Sequence, residues 1–276
     1  MFCNQDFPAS ALEKPGFHLT FQDEFDRPQY NDMYWYTAYR SGRKEYFKRI
    51  GHPSRWVDHN AHWVIEDSCL KLRLTENLPF RPAKDTPCVS CFTTSDHRFG
   101  KTTAECQIMD KFAQKHGWFE IRCKMPRGEG IMSAFWLHQH DPLKQEYTPE
   151  GEKKGMDAGV LEIDIFEQQG RYIQDTESKI NISIHFTKSG HFFPSLGMDL
   201  SSHFHVFALD WQEGHLDWYA DGRVIASYDG PTPQDKMFIL MALFQYSGWI
   251  GQIDPGMVYP KDFEIDYVRV YARDGE

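Results

Sequence analysis

Three carboxylates lie close together in the segment 162–167, which reads Glu-Ile-Asp-Ile-Phe-Glu. Side chains of a β-strand alternate between its two faces, so the isoleucines would enter the core while Glu162 and Asp164 share the opposite face. A regular strand would then bury Glu167, and a buried carboxylate without a partner is costly. A β-bulge between Ile165 and Glu167 removes this conflict, because it inserts one residue and re-aims those that follow. The pattern therefore predicts all three carboxylates on one face.

Crowded carboxylates on one strand face repel one another, and no basic residue interrupts this segment. The repulsion raises the pKa of at least one carboxyl, which can then hold a proton near neutral pH. Cleavage of a glycosidic bond uses this combination: one carboxylate attacks the anomeric carbon, and a protonated one donates to the leaving oxygen. Two alternatives stay open. The segment could be an exposed edge strand with solvated acids, or a divalent-metal site with His185 as a further ligand.

Residues 179–187 alternate between isoleucine or phenylalanine and the polar residues Asn181, Ser183, His185 and Thr187. If this strand neighbours the acidic one, the polar set faces the same way as the acids. His185 would then hydrogen-bond the acid cluster or a sugar hydroxyl. A solvated surface histidine is the alternative.

Two tryptophans are candidates for stacking against sugar rings. In residues 133–138, Phe135 and Leu137 share one face of the predicted strand, so Trp136 takes the other. A large aromatic on the non-core face suggests a stacking platform, and burial under a loop is the alternative. Trp249 lies in a glycine-flanked loop and is a weaker candidate of the same kind.

The elements that must position these residues are all strands. Runs of period-2 alternation recur at 18–21, 70–74, 117–125, 133–138, 160–167, 179–187, 205–211, 216–219, 224–228, 237–244 and 263–271. Asp221-Gly222 between two of these runs predicts a hairpin with a type I′ turn. Such a set of short strands favours two antiparallel sheets packed face to face. The polar segment 139–158 is predicted to be a loop, either one wall of a binding site or a plain insertion.

The chain has 276 residues and a net charge of −10, with 40 acidic and 30 basic residues. This balance argues against a nucleic-acid partner, and the one dense basic stretch, 40–56, is predicted to be a surface loop. No apolar run approaches the ~18 residues of a membrane span. No linker is visible, so we expect residues 1–276 to form a single domain and a monomer, with 1–16 as a peripheral or flexible segment. The N-terminus has no signal-peptide pattern, so we expect either an intracellular protein or a chain whose leader was removed.

The six cysteines are too few for a disulfide scaffold in a chain of this length. Cys88 and Cys91 have CxxC spacing, but no second CxxC follows. A zinc knuckle or redox pair is one hypothesis, and ordinary thiols are the better one.

Taken in order along the chain, these segments resemble glycoside hydrolase family 16, which includes laminarinases, lichenases, agarases and carrageenases. The acidic segment is similar to that family's bulged ExDxxE signature. Residues 21–26, 117–126, 133–137, 204–222 and 266–271 resemble the opening strand, the segments before the active strand, the His-containing strand with its hairpin, and the closing strand. Each piece is weakly specific, whereas the ordered set is strong.

The resemblance implies a β-jelly-roll with a concave substrate cleft and a retaining, double-displacement mechanism. By motif position, it implies Glu162 as nucleophile, Glu167 as general acid/base and Asp164 as the group that orients the nucleophile. It implies that Trp136 lines the subsites near the cut. No cofactor is required. Some members bind a structural calcium on the convex side, and Asp266 matches one ligand position while Glu24 lies in the other strand involved.

The chain also departs from the family's better-known branches. Residues 39–47 do not match the Asn-rich stretch that laminarinases usually carry, and an Asn common before the Trp249 loop is replaced by Ala242. Both changes touch subsites and leave the substrate open. The hypothesis is a retaining endo-β-glycanase acting on a β-1,3- or β-1,3-1,4-glucan. The alternatives are a β-galactan hydrolase of the agarase or carrageenase type, a transglycosylase, and a non-catalytic lectin-like protein that binds the polysaccharide or oligosaccharide.

Overall fold

The computed structural model describes residues 5–37, 57–58, 63–76, 88–98, 107–139, 161–186 and 188–275. They form nineteen strands and one 3₁₀ turn at Gly170–Tyr172. The strands are β1 (Phe17–Asp23), β2 (Val57–Asp58), β3 (Trp63–Glu66), β4 (Cys69–Leu74), β5 (Cys88–Thr93), β6 (Ser95–Arg98), β7 (Gln107–Asp110), β8 (Gly117–Lys124), β9 (Ile131–Gln139), β10 (Glu162–Gln169), β11 (Ser178–Lys179), β12 (Ile182–Phe186), β13 (Lys188–Phe192), β14 (Ser195–Leu196), β15 (His205–Gln212), β16 (His215–Ala220), β17 (Arg223–Asp229), β18 (Met237–Gln245) and β19 (Lys261–Arg273).

Two large sheets make up the fold. One has eight strands in the order β17-β16-β15-β8-β19-β4-β3, with β1 also paired to β19. The other has seven strands in the order β13-β12-β10-β9-β18-β5-β2. The short strand β2 runs parallel to β5, and the other pairs in both sheets are antiparallel. The predicted all-β jelly-roll sandwich is confirmed.

The main core lies between the two sheets. Phe166 of the seven-stranded sheet meets Phe207 and Phe263 of the eight-stranded sheet, with ring centroids 5.2 Å and 6.0 Å apart. All three side chains are at most 1% exposed. Aromatic pairs of this kind contribute stabilisation beyond that of the area they bury. The contact therefore fixes the acidic strand β10 against the opposite sheet.

The seven-stranded sheet also carries apolar side chains on its outer face. They form a second cluster from alternate residues of β5, β9 and β18, namely Val89, Cys91, Met132, Ala134, Trp136, Phe238, Leu240, Ala242 and Phe244, together with Ile250. The apolar residues between them on β9 and β18 belong to the main core, namely Phe135, Ile239, Met241 and Leu243. The middle of this sheet is therefore buried on both faces, as its nearly continuous apolar sequence requires.

The predicted hairpin is confirmed. β16 and β17 pair antiparallel, and the connecting Asp221 and Gly222 have φ of 48° and 72°. Positive φ at both central positions is the requirement of a type I′ turn.

The strand predicted over 179–187 is divided in the structure. β11 ends at Lys179 and pairs with β14, whereas β12 begins at Ile182. Between them, the Ile180 amide donates to the Pro194 carbonyl and the Asn181 carbonyl accepts from the Glu167 amide. The alternation alone could not show this break. The side chains keep their alternation through Ile180 and Asn181, although the main chain of these two residues bonds to partners outside a regular ladder.

Part of the segment predicted to be peripheral crosses the eight-stranded sheet. The Phe7 amide donates to the Phe204 carbonyl at 2.7 Å, and Arg269 Nη1 donates to the Ser10 carbonyl at 2.7 Å. Residues 5–16 contain no strand, so this segment is held by separate main-chain and side-chain hydrogen bonds instead of by a ladder. No helix in the ranges given above is long and apolar enough to cross a bilayer.

Candidate active site

The acidic strand β10 contains the predicted bulge. Asp164 pairs with Trp136 on β9, but Phe166 pairs with Phe135, so the ladder shifts by one residue. The shift lies one residue earlier than predicted, which makes Ile165 the extra residue. Ile165 and Phe166 are 2% and 0% exposed and both enter the main core. Two consecutive core residues reverse the alternation, which returns Glu167 to the outer face.

The register places all three carboxylates on the outer face of the seven-stranded sheet. Alternate residues of β9 share that face with Trp136 and Ala134 of the outer cluster. The carboxylates pair with these residues, His138 opposite Glu162, Trp136 opposite Asp164, and Ala134 opposite Glu167. The sequence prediction of one shared face is therefore confirmed in the geometry.

Histidines from both neighbouring strands reach the carboxylates. His185 of β12 pairs with Glu162 in the ladder, and its Nε2 lies 3.3 Å from Asp164 Oδ2. His138 of β9 places its Nε2 3.9 Å from Glu162 Oε2. The prediction that His185 contacts the acid cluster is confirmed. His138 was not singled out in the sequence, although its spacing of two from Trp136 places it on the same face.

Burial and the neighbouring acids together hold a proton on Glu167. Desolvation is the largest cause, followed by the charges of Asp164 and Glu162, and together they raise the pKa of Glu167 to about 9. His185 opposes this shift. Glu167 is therefore protonated at neutral pH, which is the state required of a general acid.

The same cluster could hold a metal ion. One ligand atom from each of Glu162, Asp164 and His185 lies within 4.8 Å of the others. A bound cation would favour the ionised form of nearby carboxyls. A cation here would therefore oppose the raised pKa that Glu167 has in the structure.

Trp136 lies on the outer face as predicted, but it is buried. It is 5% exposed and packs against Phe244 with ring centroids 6.0 Å apart. The structure thus shows a buried Trp136 packed within the outer cluster, and its role near the subsites stays a prediction. Its register position opposite Asp164 places it beside the three carboxylates on the outer face of the sheet.

Trp249 is the more exposed of the two candidate tryptophans. It is 49% exposed and lies in the segment after β18, where its carbonyl accepts a hydrogen bond from Arg171 Nη2 at 2.7 Å. Arg171 belongs to the 3₁₀ turn that follows β10. The loop bearing Trp249 is thus joined to the end of the acidic strand, and its role in stacking stays a prediction.

The two carboxylates considered for a structural calcium are each bound by an arginine. Arg269 donates Nε and Nη2 to the two oxygens of Glu24 at 2.7 and 2.8 Å. Arg122 Nη1 donates to Asp266 Oδ2 at 2.8 Å. This donor set fits a calcium ion poorly, because the ion would compete with guanidinium groups for the same oxygens. The calcium site stays a prediction.

Of the other sequence hypotheses, Ala242 is fully buried in the outer cluster and pairs with Ala134. Cys91 is buried and belongs to no disulfide within the described ranges, which fits the ordinary-thiol hypothesis. The side chain of Cys88 and residues 39–47, 40–56 and 140–158 lie outside the described part of the chain, as does Thr187.

A jelly-roll of two sheets with an ExDxxE carboxylate set on a bulged strand defines the class of β-sandwich glycoside hydrolases. The model of the glycosyl hydrolases family 16 matches residues 52–269. The chain belongs to this family, and the resemblance of its motifs is confirmed.

Several curated relatives carry names of β-glucan-degrading enzymes. Glucan endo-1,3-beta-glucosidase A1 of Niallia circulans is 23% identical over 93% of this chain and 38% of its own length. Endo-1,3-1,4-beta-glycanase ExsH of Rhizobium meliloti is 30% identical over 63% of this chain and 34% of its own length. EglC of the same organism is 24% identical over 96% of this chain and 54% of its own length. The chain thus spans about a third to a half of these relatives.

Solved structures share the fold. A GlcNAcα1-4Gal-releasing endo-β-galactosidase from Clostridium perfringens has a TM-score of 0.73 at 24% identity, covering 98% of this chain and 65% of that one. The catalytic domain of an endo-1,3-beta-glucanase (laminarinase) from Thermotoga petrophila has a TM-score of 0.67 at 21% identity, covering 94% and 99%.

Proposed function

We propose that this chain is a retaining endo-β-glycanase that hydrolyses a β-1,3- or β-1,3-1,4-glucan by double displacement. The observation that carries the proposal is the protonated Glu167, held at a raised pKa on the same strand face as Glu162. An acid and a nucleophile on one face are what retaining hydrolysis needs. The names of the curated relatives support a β-glucan as substrate.

The first step breaks the glycosidic bond. The Glu162 carboxylate attacks the anomeric carbon while Glu167 donates its proton to the leaving oxygen. The products are a covalent glycosyl ester on Glu162 and a released sugar hydroxyl. Asp164, next to both in the cluster and within 3.3 Å of His185 Nε2, orients the nucleophile.

The second step releases the sugar. Glu167, now a carboxylate, removes a proton from water, and the resulting oxygen attacks the anomeric carbon. The bond to Glu162 breaks, and Glu162 is restored as a carboxylate. Two inversions leave the β configuration unchanged. If a sugar hydroxyl replaces water, the same intermediate gives transglycosylation.

The stereochemical course tests this mechanism. Proton NMR of a reaction on lichenan or laminarin should show the β-anomer of the new reducing end first, with the α-anomer growing later by mutarotation. Initial formation of the α-anomer would contradict double displacement.

A β-galactan is the second candidate substrate. The solved structure named for endo-β-galactosidase activity supports it through the shared fold, at a TM-score of 0.73. Agarose and carrageenan therefore belong in any substrate panel. A lectin-like role is disfavoured, because all three signature carboxylates are present and one holds its proton at neutral pH.

A further inference from the structure

A hydrogen bond from the opposite sheet reaches the β-bulge in β10. Trp218 of β16 donates its indole Nε1–H to the main-chain carbonyl of Asp164 at 3.0 Å. β16 belongs to the eight-stranded sheet and β10 to the seven-stranded one, so this hydrogen bond crosses the core. Trp218 is 0% exposed.

The bond satisfies a main-chain group at the point where the ladder is irregular. The register shifts directly after Asp164, and a hydrogen bond to a buried main-chain carbonyl contributes about 0.5–1.5 kcal/mol. On the far side of the bulge, the Glu167 amide donates to the Asn181 carbonyl at 2.9 Å. The bulge is thus held at the carbonyl before it and at the amide after it, and Ile165 and Phe166 enter the core between these points.

The tryptophan itself is held firmly. Its ring lies 5.6 Å from that of Phe192 in centroid distance, and its strand neighbours across β15 and β17 are Leu209 and Ala226. The indole N–H is the one hydrogen-bond donor that a tryptophan side chain has. Because the packed Trp218 ring is already ordered, its hydrogen bond can fix the main chain at the bulge with little further loss of side-chain entropy.

We propose that Trp218 is a positioning residue for the carboxylates on either side of the bulge. Its hydrogen bond to the Asp164 carbonyl fixes the bulge and thereby the positions of Asp164 and Glu167. This inference rests on the proposed function for its effect on turnover. Trp218 lies in the core behind the strand, on the face opposite the carboxylates, and acts through the main chain.

A second tryptophan provides a matched control. Trp211 of the adjacent strand β15 is also 0% exposed and belongs to the same core. Its Nε1 has no hydrogen-bond partner among the residues that the structure describes. Trp218→Phe and Trp211→Phe therefore remove similar ring volume from the same core, but only the first removes a hydrogen bond to the bulge.

The first readout does not depend on activity. The Glu167 carboxyl can be titrated by ¹³C NMR, with its resonance assigned by Glu167→Gln, in the native protein and in both tryptophan variants. The titratable groups that act on it are Asp164, Glu162 and His185, and His138 lies beside Glu162. We expect Trp218→Phe to lower the Glu167 midpoint by about 1 pH unit or more, because a relaxed bulge admits water. Trp211→Phe should leave it in place. Equal midpoints in the two variants would overturn the inference.

The second readout is turnover of the polysaccharide. We expect Trp218→Phe to lower kcat by roughly 10- to 100-fold, since small misplacements of reacting groups have effects of that size. KM should change little, and Trp211→Phe should retain most of the native kcat. If the native protein cleaves no polymer, the proposed function fails, and the carboxyl titration still decides the role of Trp218.

Loss of the fold in Trp218→Phe is controlled by an isosteric replacement. Benzothienylalanine at position 218 keeps the shape of the ring and replaces the N–H by sulfur. This variant should fold with a native thermal transition and still show the lowered Glu167 midpoint. A native midpoint in the isosteric variant would assign the effect of Trp218→Phe to packing and would overturn the proposal.

Discussion

At the scale of single residues, the site separates two carboxyls by their surroundings. Glu167 is held protonated by burial and by the charges of Asp164 and Glu162. Glu162 lies at the start of the strand, opposite His138 and His185 in the two ladders. In the proposed mechanism, acid and nucleophile therefore differ in environment and not in residue type, which is the same in both.

Removing the proposed nucleophile should abolish cleavage without unfolding the chain. We expect Glu162→Ala to lower kcat by roughly 10³- to 10⁶-fold. Added azide should restore part of the cleavage, because a small anion can attack the anomeric carbon in the space that the carboxylate leaves. Glu213 is an exposed glutamate between β15 and β16, and Glu213→Ala serves as the control with native activity. Full activity of Glu162→Ala would exclude the assigned mechanism.

The basic limb of the pH profile should report Glu167. Because its pKa is raised to about 9, kcat/KM should fall as pH rises through that value, where the general acid loses its proton. Glu167→Gln should remove this limb together with most of the activity. A basic limb that stays at the native position in Glu167→Gln would show that another group sets it.

The same proton makes stability depend on pH. A carboxyl whose pKa is raised in the folded state stabilises the protein fully below its unfolded pKa, and this contribution is lost as pH rises through the folded pKa of about 9. We expect Glu167→Gln to flatten the decline in the free energy of unfolding between about pH 5 and pH 9, by roughly 1–3 kcal/mol. Denaturant titrations at several pH values measure this slope. Parallel pH dependences of the two proteins would contradict a buried proton on Glu167.

At the scale of elements, the bulge brings three carboxylates of one strand to the same face. Ile165 and Phe166 both enter the core, so Glu162, Asp164 and Glu167 return to one face. The sequence predicted this, because an unpaired glutamate in the core is too costly for a regular strand. It could not predict which of two residues is the extra one, since isoleucine and phenylalanine are equally suited to the core.

Core packing behind the bulge should carry much of the stability of β10. Phe166 is fully buried and contacts Phe135, Phe207 and Phe263. We expect Phe166→Ala to lower the free energy of unfolding by about 3–5 kcal/mol. Phe193, which is 45% exposed, provides the control, and Phe193→Ala should change stability by less than about 1 kcal/mol. Similar losses in the two variants would contradict the assigned core.

Two features of the site were beyond the reach of the sequence. Alternation places Trp136 on the outer face, but it cannot show that the ring is buried and packs against Phe244 of β18. The hydrogen bond from Trp218 to Asp164 joins strands of different sheets. Which core tryptophan lies behind the bulge depends on how the sheets are stacked, and no local pattern records that.

At the scale of the whole molecule, the two sheets have different tasks. The seven-stranded sheet carries the carboxylates on its outer face, and the eight-stranded sheet supports the bulge through Trp218 and Phe207. The N-terminal segment crosses the eight-stranded sheet, where Arg122 Nε donates to the Phe7 carbonyl at 2.8 Å and Ser10 donates its amide to Tyr267 Oη at 3.1 Å. The single domain expected from the sequence stays a prediction.

Deleting residues 1–11 should lower thermal stability while leaving the site intact. The deletion removes the carbonyls of Phe7 and Ser10, which accept hydrogen bonds from Arg122 and Arg269 of the eight-stranded sheet. We expect Tm to fall by roughly 3–8 °C, at about 1 kcal/mol for each hydrogen bond lost. Calorimetry should show one cooperative transition in both forms, as a single domain requires. An unchanged Tm would show that the segment contributes no stability, and two transitions would contradict one domain.

The most direct test of the central claim is release of reducing ends from laminarin, lichenan, agarose, carrageenan and xyloglucan by the native protein and by Glu162→Ala. The account predicts cleavage of laminarin or lichenan by the native protein, with none by the variant. Cleavage of agarose or carrageenan alone would replace the glucan by a galactan and keep the mechanism. Equal activity of the two proteins, or binding of a polymer without cleavage by the native protein, would contradict the assignment of the acidic strand as the catalytic centre.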